Sequence, residues 1–169
     1  LVGADGAFSQ VAKCGGWPEP QTVPLIQAIV NTPARMSTNV SRVWFDPGDT
    51  PYFYWQIPYS DTRSVVGLTA LDEKQGYRLL DRFLHRLGLK AIEFQEAQVP
   101  EYRGWRPACK KVGKAMVYLV GDAAGHVKVT TVGGVLTGFK GAQGVVESII
   151  TGKNSKTLVA LRRELDNHR

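Results

Sequence analysis

The stretch "MVYLVGDAAGHVKVTTVGGVLTGFKGAQGVVESII", residues 116–150, decides the fold. An apolar run enters Gly-Asp-Ala-Ala-Gly, crosses a Lys/Thr loop and reaches two glycines that open a helix-like segment. Small residues beside Asp122 let a flat or extended ligand approach the backbone. A carboxylate at a strand end can accept hydrogen bonds from sugar hydroxyls, and helix N–H groups behind Gly133 and Gly134 favour an electron-rich group. A second interpretation stays open, namely a structural turn with a capping aspartate.

The first residues show a related pattern. The segment "LVGADGAFSQVAK", residues 1–13, predicts a strand, a glycine turn and the start of a helix near Ser9. Both ends of the chain therefore have the same predicted order of a strand, a glycine-rich turn and a helix. We expect residues 1–13 and 115–169 to build one discontinuous lobe.

The middle of the chain predicts a second lobe, residues 14–114. Four runs rich in aromatic and β-branched residues are separated by Pro, Gly and Asp, which favours an antiparallel meander. They are "LIQAIVNT", "VSRVWFD", "YFYWQIPY" and "SVVGLTAL". The period then changes to that of a helix over 73–87, closed by Gly88, before a strand at 91–99 and an irregular Pro-rich crossing to Lys114. With helices predicted at 134–150 and 155–165, the fold class is α+β.

Composition excludes several classes of protein. The hydrophobic content of 43% and charged content of 21% are those of an ordinary globular chain. No apolar run approaches the ~20 residues of a membrane span, so we expect a cytoplasmic protein, with peripheral membrane contact left open. The net charge of +6 is accompanied by no nucleic-acid motif, and a solvated basic face is the preferred interpretation. Two cysteines and three scattered histidines predict neither a disulfide framework nor a metal site.

Three motifs resemble those of the FAD-dependent geranylgeranyl reductases, within the para-hydroxybenzoate-hydroxylase-like flavoproteins. "VGADGAFSQVAK" resembles the superfamily pattern "GADGxxSxVR", with Lys13 where Arg is usual. "VGDAAGHVKVTTVGG" is similar to the reductase loop "GDAAGxVxPxTGGG". "YFYWQIPYSD" resembles the strand "YxWxFP". The order and separations agree, and the resemblance covers nearly the whole chain.

The resemblance implies a role for each matched residue. Residues 1–13 and 115–169 would form the C-terminal half of an FAD-binding lobe, and 14–114 an antiparallel substrate-binding lobe with a covering helix. Asp122 would contact the ribityl chain of FAD, and Asp5 and Gly6 would lie beside the pyrophosphate. The other implied flavin-site residues are Gly121, Ala124, Gly125, Thr131, Gly133 and Gly134. The implied wall of a prenyl cavity consists of Phe53, Trp55 and Pro58.

The implied reaction is reduction of a C=C bond in a geranylgeranyl or other isoprenoid chain. The carrier would be a (bacterio)chlorophyll precursor or an ether lipid, and the electron donor NADPH or a ferredoxin-like protein. Such a protein has prenylated small molecules or lipids as partners, and not nucleic acid. No catalytic residue is predicted, because the flavin itself carries the chemistry.

Some residues differ from the reductase motifs, and these differences affect the expected binding of FAD. Val129 and Val132 replace a proline and a glycine where the backbone should lie under the flavin, and a branched side chain at 132 is expected to narrow the site or alter the loop. The chain has no G-x-G-x-x-G, which the resemblance places before Leu1. We therefore expect a fragment, with FAD bound by the full-length protein but neither held tightly nor used in turnover by this chain alone.

Two other functions stay open. One is a flavin-dependent monooxygenase or halogenase of the same fold, because "FYWQIP" is one substitution from the halogenase pattern "WxWxIP". The other is a non-catalytic, flavoprotein-derived module for binding or membrane docking, which the two valines and the basic surface would suit.

Overall fold

The structure, a computed structural model, describes residues 1–34, 36–128 and 130–168. The chain divides into two compact units, one formed by Leu1–Thr22 with Val99–Arg169 and the other by Val23–Gln98. The strands are β1 (Val2–Gly3), β2 (Thr22–Asn31), β3 (Arg42–Trp44), β4 (Tyr54–Pro58), β5 (Arg63–Thr69), β6 (Ala91–Pro100), β7 (Cys109–Val112) and β8 (Ala115–Leu119). The α-helices are α1 (Gln10–Cys14), α2 (Glu73–Leu87), α3 (Val135–Thr151) and α4 (Lys156–Asn167). This arrangement confirms the α+β class.

The first unit contains a three-stranded sheet in the order β1-β8-β7. β1 runs parallel to β8, with Gly3 opposite Leu119, and β7 runs antiparallel to β8. A side chain at Gly3 would lie 2.8 Å from both Leu119 Cδ2 and Val11 Cβ, so glycine allows the sheet and α1 to pack closely. Because parallel strands end at the same edge of a sheet, the turns that follow β1 and β8 emerge side by side.

A helical pair completes the first unit. α3 and α4 approach closely at Gly144, where an added Cβ would lie 2.6 Å from Leu158 Cγ. The Glu147 carboxylate accepts hydrogen bonds from the hydroxyls of Ser155 and Thr157, at 2.6 and 2.7 Å, which ties the start of α4 to α3. These contacts hold α3, the helix that the sequence predicts behind the glycine pair.

The second unit is an antiparallel sheet with one helix packed on it. The strand order is β3-β4-β5-β2-β6. Its core joins alternate residues of β2, β4 and β5 to the apolar stripe of α2; the members are Ile26, Ala28, Val30, Tyr54, Val66, Leu68, Ala70, Leu79, Leu80, Phe83 and Leu84. Asp72 accepts a hydrogen bond from the Gln75 N–H and caps α2, and Gly88 ends it in the left-handed conformation.

The predicted elements agree closely with the observed ones. The helix at 73–87 has the predicted bounds, and the two later helices are shifted by only one or two residues. The predicted irregular crossing to Lys114 is wrong in one place, because Cys109–Val112 forms β7 and pairs with β8 through a turn at Gly113. Among the described residues, no helix combines the length and apolar character needed to cross a membrane.

Candidate functional site

The turn after β1 is stabilised by its own side chains. The Asp5 carboxylate accepts hydrogen bonds from the Ser9 hydroxyl, at 2.5 Å, and from the Val11 N–H, at 3.1 Å. These hydrogen bonds, that from Ser9 first, lower the pKa of Asp5. The carboxylate is therefore committed to the start of α1. Gly6, with φ of +80° and nothing within 4 Å of the place a Cβ would occupy, leaves its backbone open to a ligand.

The turn after β8 is a short 3-10 helix, Gly121–Ala124. Gly121 and Gly125 have φ of +60° and +69°, the left-handed conformation that glycine adopts at little cost. The Gly125 N–H donates to the Asp122 carbonyl and the His126 N–H donates to the Gly121 carbonyl. Ala123 and Ala124 are buried, so the turn has a fixed shape.

Asp122 is the exceptional residue of this turn. Its side chain is half-buried, and within the described part of the chain no group donates a hydrogen bond to its carboxylate. Burial raises its pKa. A Cβ on Gly134 would lie 2.9 Å from Asp122 Oδ1, so glycine leaves the space that the carboxylate needs. The second interpretation of the sequence included a capping aspartate; among the described residues no side chain caps the 3-10 helix or α3, so the structure does not show Asp122 in that role.

The loop between this turn and α3 folds back on itself. The Lys128 N–H donates to the Gly133 carbonyl, and the Val132 N–H donates to the Lys128 carbonyl, both at 3.0 Å. Thr131 accepts a long hydrogen bond, 3.4 Å, from the Gly133 N–H. α3 begins after Gly134 with no side-chain cap, which leaves its first N–H groups beside Asp122.

Val132, one of the two residues that depart from the family pattern, changes the loop less than the sequence suggested. It is the one non-glycine residue with positive φ, +47°, in the part of the chain that the structure describes. Its side chain is buried, so the valine keeps a conformation suited to glycine and packs inward. A left-handed conformation costs an L-residue about 1–2 kcal/mol. The second departure, Val129, lies outside the described residues.

Two side chains support the turn; sequence reasoning missed Arg106, and it considered His126 only as a loop residue or a conceivable proton donor. Arg106 donates hydrogen bonds to the Ala123 carbonyl, at 3.2 Å, and to the Pro18 carbonyl, at 2.7 Å. His126 is fully buried, and its ring stacks on Trp105 with centroids 5.3 Å apart. Within residues 1–34, 36–128 and 130–168, neither ring nitrogen of His126 has a hydrogen-bond partner. The only sequence signal for Arg106 was the run "RGWRPA", which is indistinguishable from a solvated basic segment.

The aromatic residues predicted to bind substrate lie in the second unit. Phe53 and Trp55 contact each other with ring centroids 5.9 Å apart, and Phe45 lies 5.9 Å from Phe53. Pro58 is three residues beyond Trp55 on β4, so strand alternation places it on the opposite face of the sheet. The structure therefore brings Phe53 and Trp55 together, but not Pro58.

The residues of the first unit fit a flavin nucleotide. A half-buried carboxylate without a donor is destabilised, and hydroxyl groups of a ribityl chain would supply the missing hydrogen bonds. The uncapped start of α3 offers N–H donors beside it, and Gly134 keeps the approach open. The fit concerns the ribityl and ring side of such a ligand.

Comparisons with known proteins show what the chain is similar to. No family model matches the chain. It is 30% identical, over 98% of its length, to a chloroplastic geranylgeranyl diphosphate reductase of Oryza sativa subsp. japonica, and 28% identical over 94% to that of Arabidopsis thaliana. It covers 36% and 35% of these proteins, so the chain spans about a third of the length of the curated relatives it matches.

Solved structures show the same fold. A geranylgeranyl bacteriochlorophyll reductase-like protein of Thermoplasma acidophilum superposes with a TM-score of 0.66 over 98% of this chain and 44% of that one, at 18% identity. A flavin-dependent brominase superposes with a TM-score of 0.63 over 96% of this chain and 46% of that one, at 16% identity. Over nearly its whole length, the chain is thus similar in sequence to the geranylgeranyl reductases and in fold to FAD-dependent enzymes, which confirms the resemblance predicted from its three motifs.

Proposed function

We propose that the chain is part of an FAD-dependent oxidoreductase that reduces C=C bonds of a geranylgeranyl or similar isoprenoid chain. The observation that carries the proposal is the Asp122 carboxylate, half-buried without a donor beside the uncapped start of α3. A polyhydroxylated ligand would donate hydrogen bonds to this partly desolvated carboxylate. The similarity to proteins named geranylgeranyl diphosphate reductase supports the prenyl substrate.

Each residue of the site then has a defined task. Asp122 accepts hydrogen bonds from the ribityl hydroxyls and orients the chain that carries the ring. The α3 N-terminus and the glycines at 133–134 receive the electron-rich edge of the ring, since they combine free N–H donors with open space. Gly121, Ala124, Gly125 and Thr131 line the same turn and loop, and Gly6 presents backbone on the pyrophosphate side.

FAD, when bound, supplies the hydride that the reduction requires. The protein's contribution is to hold the ring, to exclude water and to position the double bond. Residues 1–13 with 115–169 would serve the flavin, and 14–114 would serve the substrate, with Phe53 and Trp55 as an apolar wall. The donor would be NADPH or a ferredoxin-like protein, and the prenyl carrier a (bacterio)chlorophyll precursor or an ether lipid.

Titration of FAD into the full-length protein tests the assignment of Asp122. We expect Asp122→Asn to raise the Kd for FAD tenfold or more, because one hydrogen bond to a charged group contributes about 1.5–3 kcal/mol. Asp61→Asn, at an exposed turn of the second unit, is the control and should leave the Kd unchanged. Equal Kd values for the wild type and Asp122→Asn would contradict the role of Asp122.

A second experiment tests the reaction itself. Reduced full-length protein is mixed anaerobically with a geranylgeranyl compound, and flavin reoxidation is followed by its absorbance. Reoxidation together with a saturated product supports the reductase.

A halogenase or monooxygenase is the second candidate, favoured by the brominase neighbour and the "FYWQIP" strand. The reduced flavin of such an enzyme would be reoxidised only when oxygen is admitted. A non-catalytic module would show no flavin spectrum in the full-length protein.

A further inference from the structure

Arg106 is a half-buried cation, and in the part of the chain that the structure describes it has no acidic partner. Burial lowers the pKa of Arg106, and no neighbouring carboxylate opposes this effect. Its Nε is buried without a hydrogen-bond partner among the same residues. Removing an unpaired charge from water costs free energy. The hydrogen bonds of the two terminal nitrogens offset part of this cost.

The guanidinium of Arg106 joins two segments that are remote in sequence. Nη1 donates to the Ala123 carbonyl at 3.2 Å, and Nη2 donates to the Pro18 carbonyl at 2.7 Å. Because both donors belong to one planar group, the two carbonyl oxygens are held at a fixed spacing. A lysine would carry the same charge as a single ammonium on a flexible stem, and it could not hold both oxygens in this geometry.

The Pro18 end of this bridge is anchored without Arg106. The neighbouring Trp17 is buried, and its Nε1 donates to the Pro107 carbonyl at 2.8 Å. Lys110 Nζ of β7 lies 4.2 Å from the centroid of the Trp17 ring, a cation–π contact. The segment that carries the Pro18 carbonyl is therefore a fixed point, to which Arg106 attaches the turn after β8.

The Ala123 end of the bridge belongs to the turn that carries Asp122. Ala123 follows Asp122 directly and is fully buried, and its carbonyl faces Arg106. The stem of Arg106 passes along the same turn, since a Cβ on Gly125 would lie 3.6 Å from Arg106 Cδ. No described residue donates a hydrogen bond to the Asp122 carboxylate. Its direction therefore depends on the backbone of the turn and on the packing around it.

We propose that Arg106 is a positioning residue for FAD, which holds the turn after β8 in the conformation in which Asp122 meets the ribityl hydroxyls. This inference rests on the proposed function and deepens it, because it names a residue that acts through Asp122 and not on the ligand itself. The pair of hydrogen bonds to Ala123 and Pro18 carries this role. Arg106→Lys keeps the charge and loses the pair, so it separates the two contributions.

A double-mutant cycle, measured by titration of FAD into the full-length protein, tests the role of Arg106. The four proteins are the wild type, Arg106→Lys, Asp122→Asn and the variant with both substitutions. Effects of independent sites add, whereas those of residues that act as a unit do not. Arg103→Lys is the matched control, because it makes the same change in the same segment, at a side chain that is 64% exposed and pairs with Glu101.

We expect Arg106→Lys to raise the Kd for FAD about threefold or more in the wild-type background, but less than about twofold in the Asp122→Asn background. Arg103→Lys should leave the Kd unchanged in both. An unchanged Kd for Arg106→Lys, or an equal increase in both backgrounds, overturns the positioning role and leaves the proposed function in place. Absence of FAD binding by the wild type overturns the proposed function and this role together.

A second variant keeps the test independent of folding. Arg106→Gln removes the charge, and its shorter side chain cannot reach both carbonyls. The fold of each variant without FAD is checked by circular dichroism, and if Arg106→Lys is unfolded the cycle is run with Arg106→Gln, for which we expect the same dependence on Asp122. If both variants fold and only Arg106→Gln raises the Kd, the charge and not the bridge matters, and the proposal is overturned.

Discussion

Acidification should destabilise the chain through one buried residue, His126. The ring is fully buried against Trp105, and neither nitrogen has a partner that could stabilise a proton. Burial first, and then the charge of Arg106, lower the pKa of His126 from 6.5 to about 4. The unfolded chain regains the ordinary pKa and binds a proton more readily, so stability is fully present above pH 6.5 and is lost as the pH falls toward 4.

The magnitude follows from the two pKa values. A tenfold change in proton affinity corresponds to about 1.4 kcal/mol, so the free energy of unfolding should fall by about 3 kcal/mol between pH 7 and pH 4 on account of His126. Urea denaturation at both pH values measures the loss. Carboxylates whose pKa is lowered in the folded state, such as Asp5 and Asp49, begin to contribute losses of their own at low pH. Substitution at His126 leaves these losses unchanged.

The variant His126→Leu isolates the effect. It removes the titrating group, so its free energy of unfolding should fall by about 3 kcal/mol less than that of the wild type over the same pH interval. His85→Gln, in the exposed part of α2, should behave like the wild type. If the free energy of unfolding falls equally for the wild type and for His126→Leu between pH 7 and pH 4, His126 is not a buried neutral imidazole.

Two further predictions concern glycines and are measured by urea denaturation at pH 7. Gly141→Ala should lower the free energy of unfolding by about 1–2 kcal/mol, because its Cβ would lie 2.0 Å from His126 Nδ1 and the clash outweighs the helix propensity gained. Gly138→Ala in the same helix meets only ordinary contact at 3.5 Å and should stabilise the chain by up to about 1 kcal/mol; a reversed order would refute the packing. Gly67→Ala should lower the free energy of unfolding by at least about 2 kcal/mol, because its Cβ would lie 2.6 Å from Trp55 Cζ2, and Gly48→Ala by less than about 0.5, because its nearest neighbour is at 3.6 Å. Similar losses would contradict the close packing of Trp55 on Gly67.

Local patterns sufficed to predict most of the fold. The helix at 73–87 carried its apolar stripe, its capping Asp72 and its terminal Gly88 within a short stretch, so its bounds were predictable. The turn after β8 was predictable for the same reason, because Gly121 and Gly125 mark the conformation that the backbone must adopt. β7 was missed since its pairing with β8 is visible only once Gly113 is known to turn the chain.

The supporting side chains could not be predicted, because their partners are remote in sequence. Arg106 bonds to Pro18, 88 residues away, and Trp55 bonds to Gln27, 28 residues away. Nothing in the run around Arg106 distinguishes a side chain that holds a turn from one in solvent. The hydrogen bond between Trp55 and Gln27 likewise depends on strand register, which the composition of each strand leaves open.

Three unusual features fall within the eleven residues from Asp122 to Val132. They are the half-buried carboxylate without a donor, the buried imidazole without a partner and the valine in a left-handed conformation. In the described chain, side-chain nitrogen or oxygen atoms buried without a partner occur at His126, Gln75 and Arg106, and Arg106 bonds to the same turn. Such features persist where the surrounding structure enforces them, and they concentrate at functional sites. A ligand that donates to Asp122 would relieve the first of them, so bound FAD should lower the pKa of this carboxyl and stabilise the full-length wild type more than its Asp122→Asn variant.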